Sequence, residues 1–381
     1  MANWADHSQG APDAVQFVAR GRQAESSASS ASIGAARRRS RRWSDTRHQL
    51  STAVGAAPQS AAAFQQPKGK IIFVTHDLNE FFVPIILGSK EFANYVGWDH
   101  QFVGPSPGDV QKTVDAQLNA IQQNPTAVGF TIIDPNAFTS SVSQAIQAGI
   151  SVVIYNTADP QGMANVQQAT GLMPGYVGQE FISAGRTNGR MAAQLAQKYT
   201  DRTSGKIVVQ NIQPGHFALE TRAKGTGMGI DEYNQQNGTS YTWEQFASST
   251  NEVEAASRIA AKWAADGDQI VGWASTDFTH GFVGNWAKQN GLVGKFSVGG
   301  FDLTPTVNGN IEDGSVDWTI GQNPYAQGWI TSALAYMQSQ YKYPAFNYDT
   351  GAELVTRENF AALVKQREQV WTDRRGEAGF R

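Results

Sequence analysis

Polar and aromatic side chains follow several predicted strands, and their chemistry suits a polyhydroxylated ligand. They are Asn79, Phe81, Phe82, Asp134, Asn156, Thr276, Asp302 and Gln322. Amides and carboxylates can pair with adjacent hydroxyls as donors and acceptors, and aromatic faces pack on apolar C–H surfaces. The residue types therefore predict a site for a sugar-like molecule at the strand ends.

Each of these residues also has a purely structural interpretation. Phe81 and Phe82 could be core residues at the head of a helix. Asp134 and Asp302 could be N-caps of the helices that they precede, which is a common role for aspartate. The residues taken singly leave both interpretations open.

The sequence carries no recognisable catalytic motif. The histidines are scattered, at positions 7, 48, 76, 100, 216 and 280, without the spacing of a zinc protease or a hydrolase nucleophile elbow. Lys224–Gly229 superficially suggests a phosphate loop but lacks the full motif and lies in a helical pattern. We therefore predict no enzyme, no metal and no cofactor, with a carbohydrate-modifying enzyme as an alternative because an α/β fold alone implies no function.

Composition narrows the class of partner. The 381 residues have a formal net charge of −3, so a polyanion such as nucleic acid is a poor partner. The chain has no cysteine, which excludes disulfides and thiolate metal sites. No apolar run approaches the roughly 20 residues that a membrane-spanning helix needs.

Residues 1–67 differ from the rest of the chain. They contain eight arginines but no lysine within residues 1–66, and they are rich in alanine, serine and glutamine. The Arg37–Trp43 run and a later alanine-rich stretch have features of an export signal, but the segment between them is polar where a signal is apolar. We predict a disordered leader that is a working export signal, a defective signal or a misassigned start.

From Lys68 the chain alternates strands and helices. A β-rich run at residues 70–75 precedes a helical pattern at residues 80–96, and strands are predicted at 128–133 and 151–155. A second series runs from a helix at 181–199 to a strand at 316–321 and a helix at 324–340. Such alternation is typical of βαβ units, so we predict two α/β sheets whose ligand site lies outside the carboxyl ends of the strands.

Seven motifs occur in an order and spacing that identify a family. They are VTHDLNEFF, TIIDPNA, VVIYNTAD, YVGQE, ASTDFTHG, VGGFDLTP and DWTIGQNPYAQG, and the match extends from about residue 69 to 360. The chain resembles the ribose-binding-like periplasmic substrate-binding proteins of ABC sugar transporters. The resemblance implies a type I periplasmic binding protein fold, in which two doubly wound Rossmann-like lobes with parallel sheets are joined by a three-strand hinge.

The same resemblance implies the organisation and function of the chain. The N-terminal lobe is expected at residues 68–178 and 323–353, and the C-terminal lobe at 179–322 and 354–362. Residues 363–381 are expected to form a C-terminal helix or tail. A monomer in the periplasm would capture a monosaccharide or sugar alcohol by hinge closure and deliver it to a membrane permease, without binding nucleic acid.

Binding residues implied by the resemblance include a hydrogen bond from Asn79 and a stacking wall of Phe81 and Phe82. Asp302 and Gln322 match a sugar-binding Asp and Gln. In the segment ETRAKGTG either Arg222 or Lys224 matches an arginine contact, and we prefer Arg222 because its planar fork suits paired hydroxyls.

At three further positions the chain departs from the family pattern. Asp134 stands where an Asn is frequent, and Thr276 replaces the Asn of an Asn-Asp pair. Asn156 and Thr157 replace an Asp-Arg pair, which mildly favours a sugar alcohol or an unusual pentose.

A regulator of the same fold, or a binding protein coupled to a chemoreceptor, is the alternative function. A regulator would carry a helix-turn-helix before residue 68, and residues 1–66 show no such pattern.

Overall fold

The computed structural model describes residues 68–380 and contains two six-stranded sheets. The leader or signal predicted at residues 1–67 lies outside the described residues. Within the described residues, no helix combines the length and the apolar character that crossing a membrane requires.

The first sheet is entirely parallel and has the strand order β11-β5-β4-β3-β1-β2. Its strands are β1 (Lys70–Val74), β2 (Asp99–Val103), β3 (Ala127–Ile132), β4 (Ser151–Ala158), β5 (Gly175–Gly178) and β11 (Tyr348–Asp349). The accompanying helices are α1 (Val83–Tyr95), α2 (Val110–Gln122), α3 (Thr139–Gln147), α4 (Pro160–Thr170) and α10 (Pro324–Tyr341). We call this sheet with its helices the first lobe.

The second sheet repeats this topology in the order β12-β10-β9-β8-β6-β7, with only β12 antiparallel. Its strands are β6 (Ser204–Asn211), β7 (Ser240–Ala247), β8 (Ile270–Ser275), β9 (Ser297–Phe301), β10 (Trp318–Gly321) and β12 (Glu353–Thr356). The accompanying helices are α5 (Phe181–Thr200), α6 (Phe217–Asn237), α7 (Glu252–Asp266), α8 (His280–Gln289) and α9 (Pro305–Asp313). This is the second lobe.

The predicted fold of two doubly wound lobes is confirmed. In each sheet the order reverses once, beside β1 in the first lobe and beside β6 in the second. Ligands of open α/β sheets bind at such reversals, outside the carboxyl ends of the strands. The chain passes between the sheets after β5, after β10 and between β11 and β12, which supplies three connections between the lobes.

The first-lobe strands β2 and β5, like the two-residue β11, have no counterpart among the predicted elements. The β2 segment DHQFV is an edge strand with no fully buried residue, so it lacks the apolar run of a central strand. The β5 segment GYVG has only four residues, half of them glycine. Both strands are held by pairing with a buried neighbour rather than by their own composition.

The C-terminal segment connects the two lobes a fourth time. It consists of α11 (Arg357–Asn359), a π-helical turn (Phe360–Val364), α12 (Lys365–Asp373) and a 3₁₀ turn (Arg375–Ala378). The side chains of Phe360 and Val364 belong to the core of the second lobe, whereas Phe380 packs against the core of the first. We call residues 357–380 the C-terminal strap.

Candidate functional site

A cavity of about 580 Å³, open to solvent, lies between the lobes at the carboxyl ends of the strands. Residues from both lobes line it: His76, Asp77, Asn79, Phe81, Phe82, Asn156, Thr157, Phe181, Ile212, Gln213, His216, Ala218, Leu219, Arg222, Asp277, Phe278, Asp302 and Gln322. The cavity therefore depends on both sheets at once.

Seven of the nine residues predicted to bind ligand line this cavity. They are Asn79, Phe81, Phe82, Asn156, Arg222, Asp302 and Gln322. The other two, Asp134 and Thr276, are not among its lining residues. That these seven side chains contact a ligand stays a prediction.

Asp134 and Thr276 have contacts of another kind. Asp134 Oδ1 accepts hydrogen bonds from the backbone N–H groups of Asn136 (2.8 Å) and Ala137 (2.9 Å), as in an aspartate turn. Thr276 is fully buried, and its Oγ1 donates to Asp277 Oδ2 at 3.4 Å. At the second position the side chain that reaches the cavity is the neighbouring Asp277.

Phe81 and Phe82 form one apolar wall of the cavity. Asn79 caps the 3₁₀ turn Glu80–Phe82 by accepting from the Phe81 N–H at 3.0 Å, which fixes the direction of both rings. The rings meet edge to face with centroids 5.1 Å apart, and both also belong to the core of the first lobe. Both interpretations of the sequence therefore apply, because the two rings belong to the core and also line the cavity.

Arg222 lies on α6 with its guanidinium between two phenyl rings, 4.3 Å from the ring centroid of Phe301 and 5.2 Å from that of Phe181. Its Nη1 donates to the carbonyl of Thr276 (3.1 Å) and its Nη2 to Oε1 of Gln179 (3.0 Å). Burial lowers its pKa, although nearby acidic groups oppose this effect. Lys224, the alternative register, is not among the residues that line the cavity.

Asp302 and Gln322 form a hydrogen-bonded pair at the ends of β9 and β10. Gln322 Nε2 donates to Asp302 Oδ1 at 2.6 Å, and no hydrogen bond within the described residues involves Asp302 Oδ2. Burial raises the pKa of Asp302, whereas the positive charge of Arg222 and the hydrogen bond from Gln322 oppose that rise. The pair can therefore offer a carboxylate oxygen to a ligand hydroxyl.

Strained backbone marks the strand ends around the cavity. Asn156 (φ 61°), Asp302 (φ 74°) and Asn323 (φ 55°) adopt the left-handed conformation, which Asn and Asp tolerate better than most residues. The pairing of β3 with β4 shifts register between Phe130 and Ile132, opposite the segment that contains Asn156. Such irregularities redirect side chains at functional sites.

Three glutamines connect the cavity to the hinge. Gln327 accepts from Asn156 Nδ2 through Oε1 and donates to Gln322 Oε1 through Nε2, both at 3.1 Å. Gln179, which holds Arg222, also donates to the carbonyl of Gly351 at 3.1 Å. Hydrogen bonds of these glutamines thus join the first, second and third lobe connections to the cavity, and these contacts were not predicted.

The histidines of the cavity were also not identified as site residues. His76 follows β1 and His216 precedes α6, and their ring centroids lie 5.1 Å apart. His76, like Asn79, follows the carboxyl end of β1, so the same reasoning could have identified it as a site residue. No signal in the sequence could have paired His76 with a residue 140 positions further along the chain.

The site has the chemistry of a binding pocket for a neutral polar molecule. Three aspartates, 77, 277 and 302, and one arginine line it, together with amides and phenyl rings. Burial raises the pKa of each aspartate, because hydrogen bonds to these carboxylates only partly offset desolvation. Among residues 68–380 no cluster of three metal-binding side chains is found.

Comparisons with known proteins agree with this architecture. Residues 51–342 match the model of the periplasmic binding protein domain family. The chain is 28% identical over 320 residues to the xylose/arabinose-binding protein XylF of Sulfolobus acidocaldarius, covering 80% of this chain and 76% of that protein.

Solved structures show the same fold. A carbohydrate transporter solute-binding protein from Agrobacterium radiobacter in complex with D-arabinose has 20% identity and a TM-score of 0.68, covering 80% of this chain and 98% of that one. A carbohydrate transporter from Acidothermus cellulolyticus in complex with myo-inositol has 22% identity and a TM-score of 0.65, covering 80% and 99%.

Proposed function

The chain belongs to the periplasmic binding protein domain family, and from this premise we propose that it captures a monosaccharide or sugar alcohol between its lobes. We further propose that it delivers this ligand to the membrane permease of an ABC transporter, outside the cytoplasmic membrane. The observation that carries the proposal is a cavity lined by strand-end residues of both lobes.

The cavity offers both kinds of contact that a sugar needs. The rings of Phe81 and Phe82 supply an apolar wall, on which the C–H face of a sugar ring can pack. Asp302, Gln322 and Asn156 supply carboxylate and amide groups for hydroxyls. A cavity with a few fixed polar groups and aromatic walls is typical of small-molecule sites.

Ligand capture by closure follows from the placement of these groups on two lobes. A ligand that contacts Asn79 on the first lobe and Asp302 on the second binds the closed arrangement better than an open one. Hinge closure around a ligand is the motion known for periplasmic binding proteins. Its driving force is the difference in affinity between the two arrangements.

The named relatives favour pentoses and cyclic polyols as the ligand class. One binds xylose or arabinose by its name, and two solved structures contain D-arabinose and myo-inositol. These relatives are named as binding or transporter proteins, and we propose binding without catalysis. We also propose that the protein acts as a monomer.

A thermal-shift and calorimetric screen at pH 7.5 tests the proposal. The panel consists of D-xylose, L-arabinose, D-arabinose, D-tagatose and myo-inositol. We expect at least one to bind with a one-to-one stoichiometry, and at 100 times its Kd to stabilise the folded protein by about 2.7 kcal/mol.

Glycerol at the same concentrations is the control, because osmolytes stabilise proteins without a site. Stabilisation by the sugars that does not exceed the effect of glycerol, with no calorimetric binding, would contradict the proposed function. A homogeneous complex of one sugar and one protein would support it.

A further inference from the structure

Two histidines of the cavity face each other across the boundary between the lobes. The rings of His76, from the first lobe, and His216, from the second, have centroids 5.1 Å apart. The rings of Phe82 and His76 meet edge to face with centroids 5.7 Å apart, and His216 is almost completely buried.

Both rings have an unsatisfied nitrogen. The Nδ1 atoms of His76 and His216 are buried, and neither has a hydrogen-bond partner among residues 68–380. A buried polar atom without a partner costs about 1–3 kcal/mol, so native proteins seldom retain one. By contrast, His100, which lies outside the cavity, has its Nε2 2.8 Å from Ser89 Oγ. The two cavity histidines are therefore suited to pair with a bound molecule.

We infer that His76 and His216 hold one hydroxyl group of the bound sugar between the lobes, and that acid weakens this grip. A neutral imidazole has one donor and one acceptor nitrogen. A hydroxyl can donate to the acceptor nitrogen of one ring and accept from the N–H of the other. The inference rests on the proposed function, which it deepens by naming a two-sided contact and its pH dependence.

Burial keeps both rings neutral when the lobes are together. Desolvation lowers the pKa of His76 well below its ordinary value of 6.5, and the nearby His216 adds to this effect. Desolvation lowers the pKa of His216 to about 4, with a further contribution from the positive charge of Arg222. Glu220 opposes the lowering of the His216 pKa.

Other charged groups around the pair belong to the loops that line the cavity. Asp77 follows His76 directly, and Asp277 and Asp302 come from the ends of β8 and β9. From α2, the contact to the His76 loop is made by the neutral Thr113, whose Oγ1 lies 3.5 Å from the His76 carbonyl. The aspartates favour protonated histidine, but the pKa of each histidine is nevertheless lowered.

The sign of the pH effect follows from these directions. When the lobes separate, the rings are hydrated and their pKa values return toward 6.5. Below that pH the open form binds protons that the closed form must release, so protons compete with the ligand. Affinity is therefore full above about pH 6.5 and falls as the pH decreases from 6.5 toward 4.

Calorimetry of the full-length protein provides the test. The probe is the tightest-binding member of the panel above, titrated at pH 7.5 and pH 5.5 in two buffers of different ionisation enthalpy. We expect proton release on binding at pH 5.5 but not at pH 7.5. The Kd should rise by about 10-fold for each histidine that must lose a proton.

Two variants separate this contact from a general effect of acid. The double variant His76→Asn/His216→Asn keeps polar side chains but removes both titrating rings, so proton release at pH 5.5 should disappear. His100→Gln removes a half-buried histidine outside the cavity, whose pKa desolvation lowers to about 4, and should leave proton release unchanged.

The outcomes distinguish this inference from the proposed function. If no panel member binds at pH 7.5, the proposed function fails and the inference fails with it. Binding at pH 5.5 without proton release overturns the inference alone, as does release that persists in the double variant. Proton release by the wild-type protein at pH 5.5 decides the inference by itself. The test therefore remains valid even if a variant folds poorly.

Discussion

Two aspartates that both follow a strand differ in the contacts of their side chains. Asp302 pairs with Gln322 and lines the cavity, whereas Asp134 accepts hydrogen bonds from the backbone of its own turn. The sequence allowed a capping role for either residue. Because the contacts of the two side chains differ, replacing them should have different effects.

We expect Asp302→Ala to weaken sugar binding by about 2 kcal/mol or more, because ligand hydroxyls lose a charged partner inside the cavity. Asp134→Ala should leave the Kd unchanged and lower the free energy of unfolding by about 1 kcal/mol through loss of its turn contacts. Calorimetric titration and urea unfolding of both variants provide the check. Equal losses of affinity would show that the cavity has been assigned wrongly.

The sequence predicted those residues whose position follows from one strand end. Asn79, Asp302 and Gln322 are of this kind, because the carboxyl ends of parallel strands meet at one edge of a sheet. Gln179 and Gln327 reach the site only through the hinge, by hydrogen bonds to Arg222 and Asn156. Local patterns contain no information on such contacts between distant segments.

At the scale of elements, helices α5 and α6 pack with their backbones in close approach. A Cβ atom added to Gly189 would lie 1.9 Å from the Thr226 carbonyl oxygen, and one added to Gly229 would lie 2.1 Å from the Arg186 carbonyl oxygen. Of the glycines in Lys224–Gly229, which superficially suggested a phosphate loop, Gly225 and Gly229 therefore serve the packing of α6 on α5, and Gly227 lies against Trp243 of β7. The helical pattern was predictable, but the reason for its glycines required the partner helix.

We expect Gly189→Ala to lower the free energy of unfolding by about 2 kcal/mol, because α5 and α6 must move apart to admit the methyl group. Gly309→Ala is the matched control, since Gly309 is exposed in α9 and a Cβ atom there meets no atom within 4 Å. That variant should gain up to about 1 kcal/mol from helix propensity. Urea unfolding should separate the two, and an equally stable Gly189→Ala variant would contradict the close packing.

At the scale of the whole molecule, the C-terminal strap joins the lobes beside the three hinge connections. Trp371 stacks on Tyr325 of the first lobe, with ring centroids 5.2 Å apart. Arg374 Nη1 lies 2.6 Å from Glu91 Oε1 of α1, while Lys365 pairs with Glu312 of the second lobe at 2.5 Å. The sequence left residues 363–381 as a helix or tail, because their mostly polar pattern gives no sign of a partner surface.

Because the strap contacts both lobes when they lie together, its contacts favour the closed arrangement. Removing them with the double variant Trp371→Ala/Arg374→Ala should raise the Kd for the sugar about 5-fold, since about 1 kcal/mol of preference for closure is lost. Solution scattering should also give a larger radius of gyration without ligand. Lys288→Ala, which breaks an ion pair with Asp313 inside the second lobe, should change neither quantity. An unchanged Kd in the double variant would mean that the strap moves with the lobes and leaves closure unaffected.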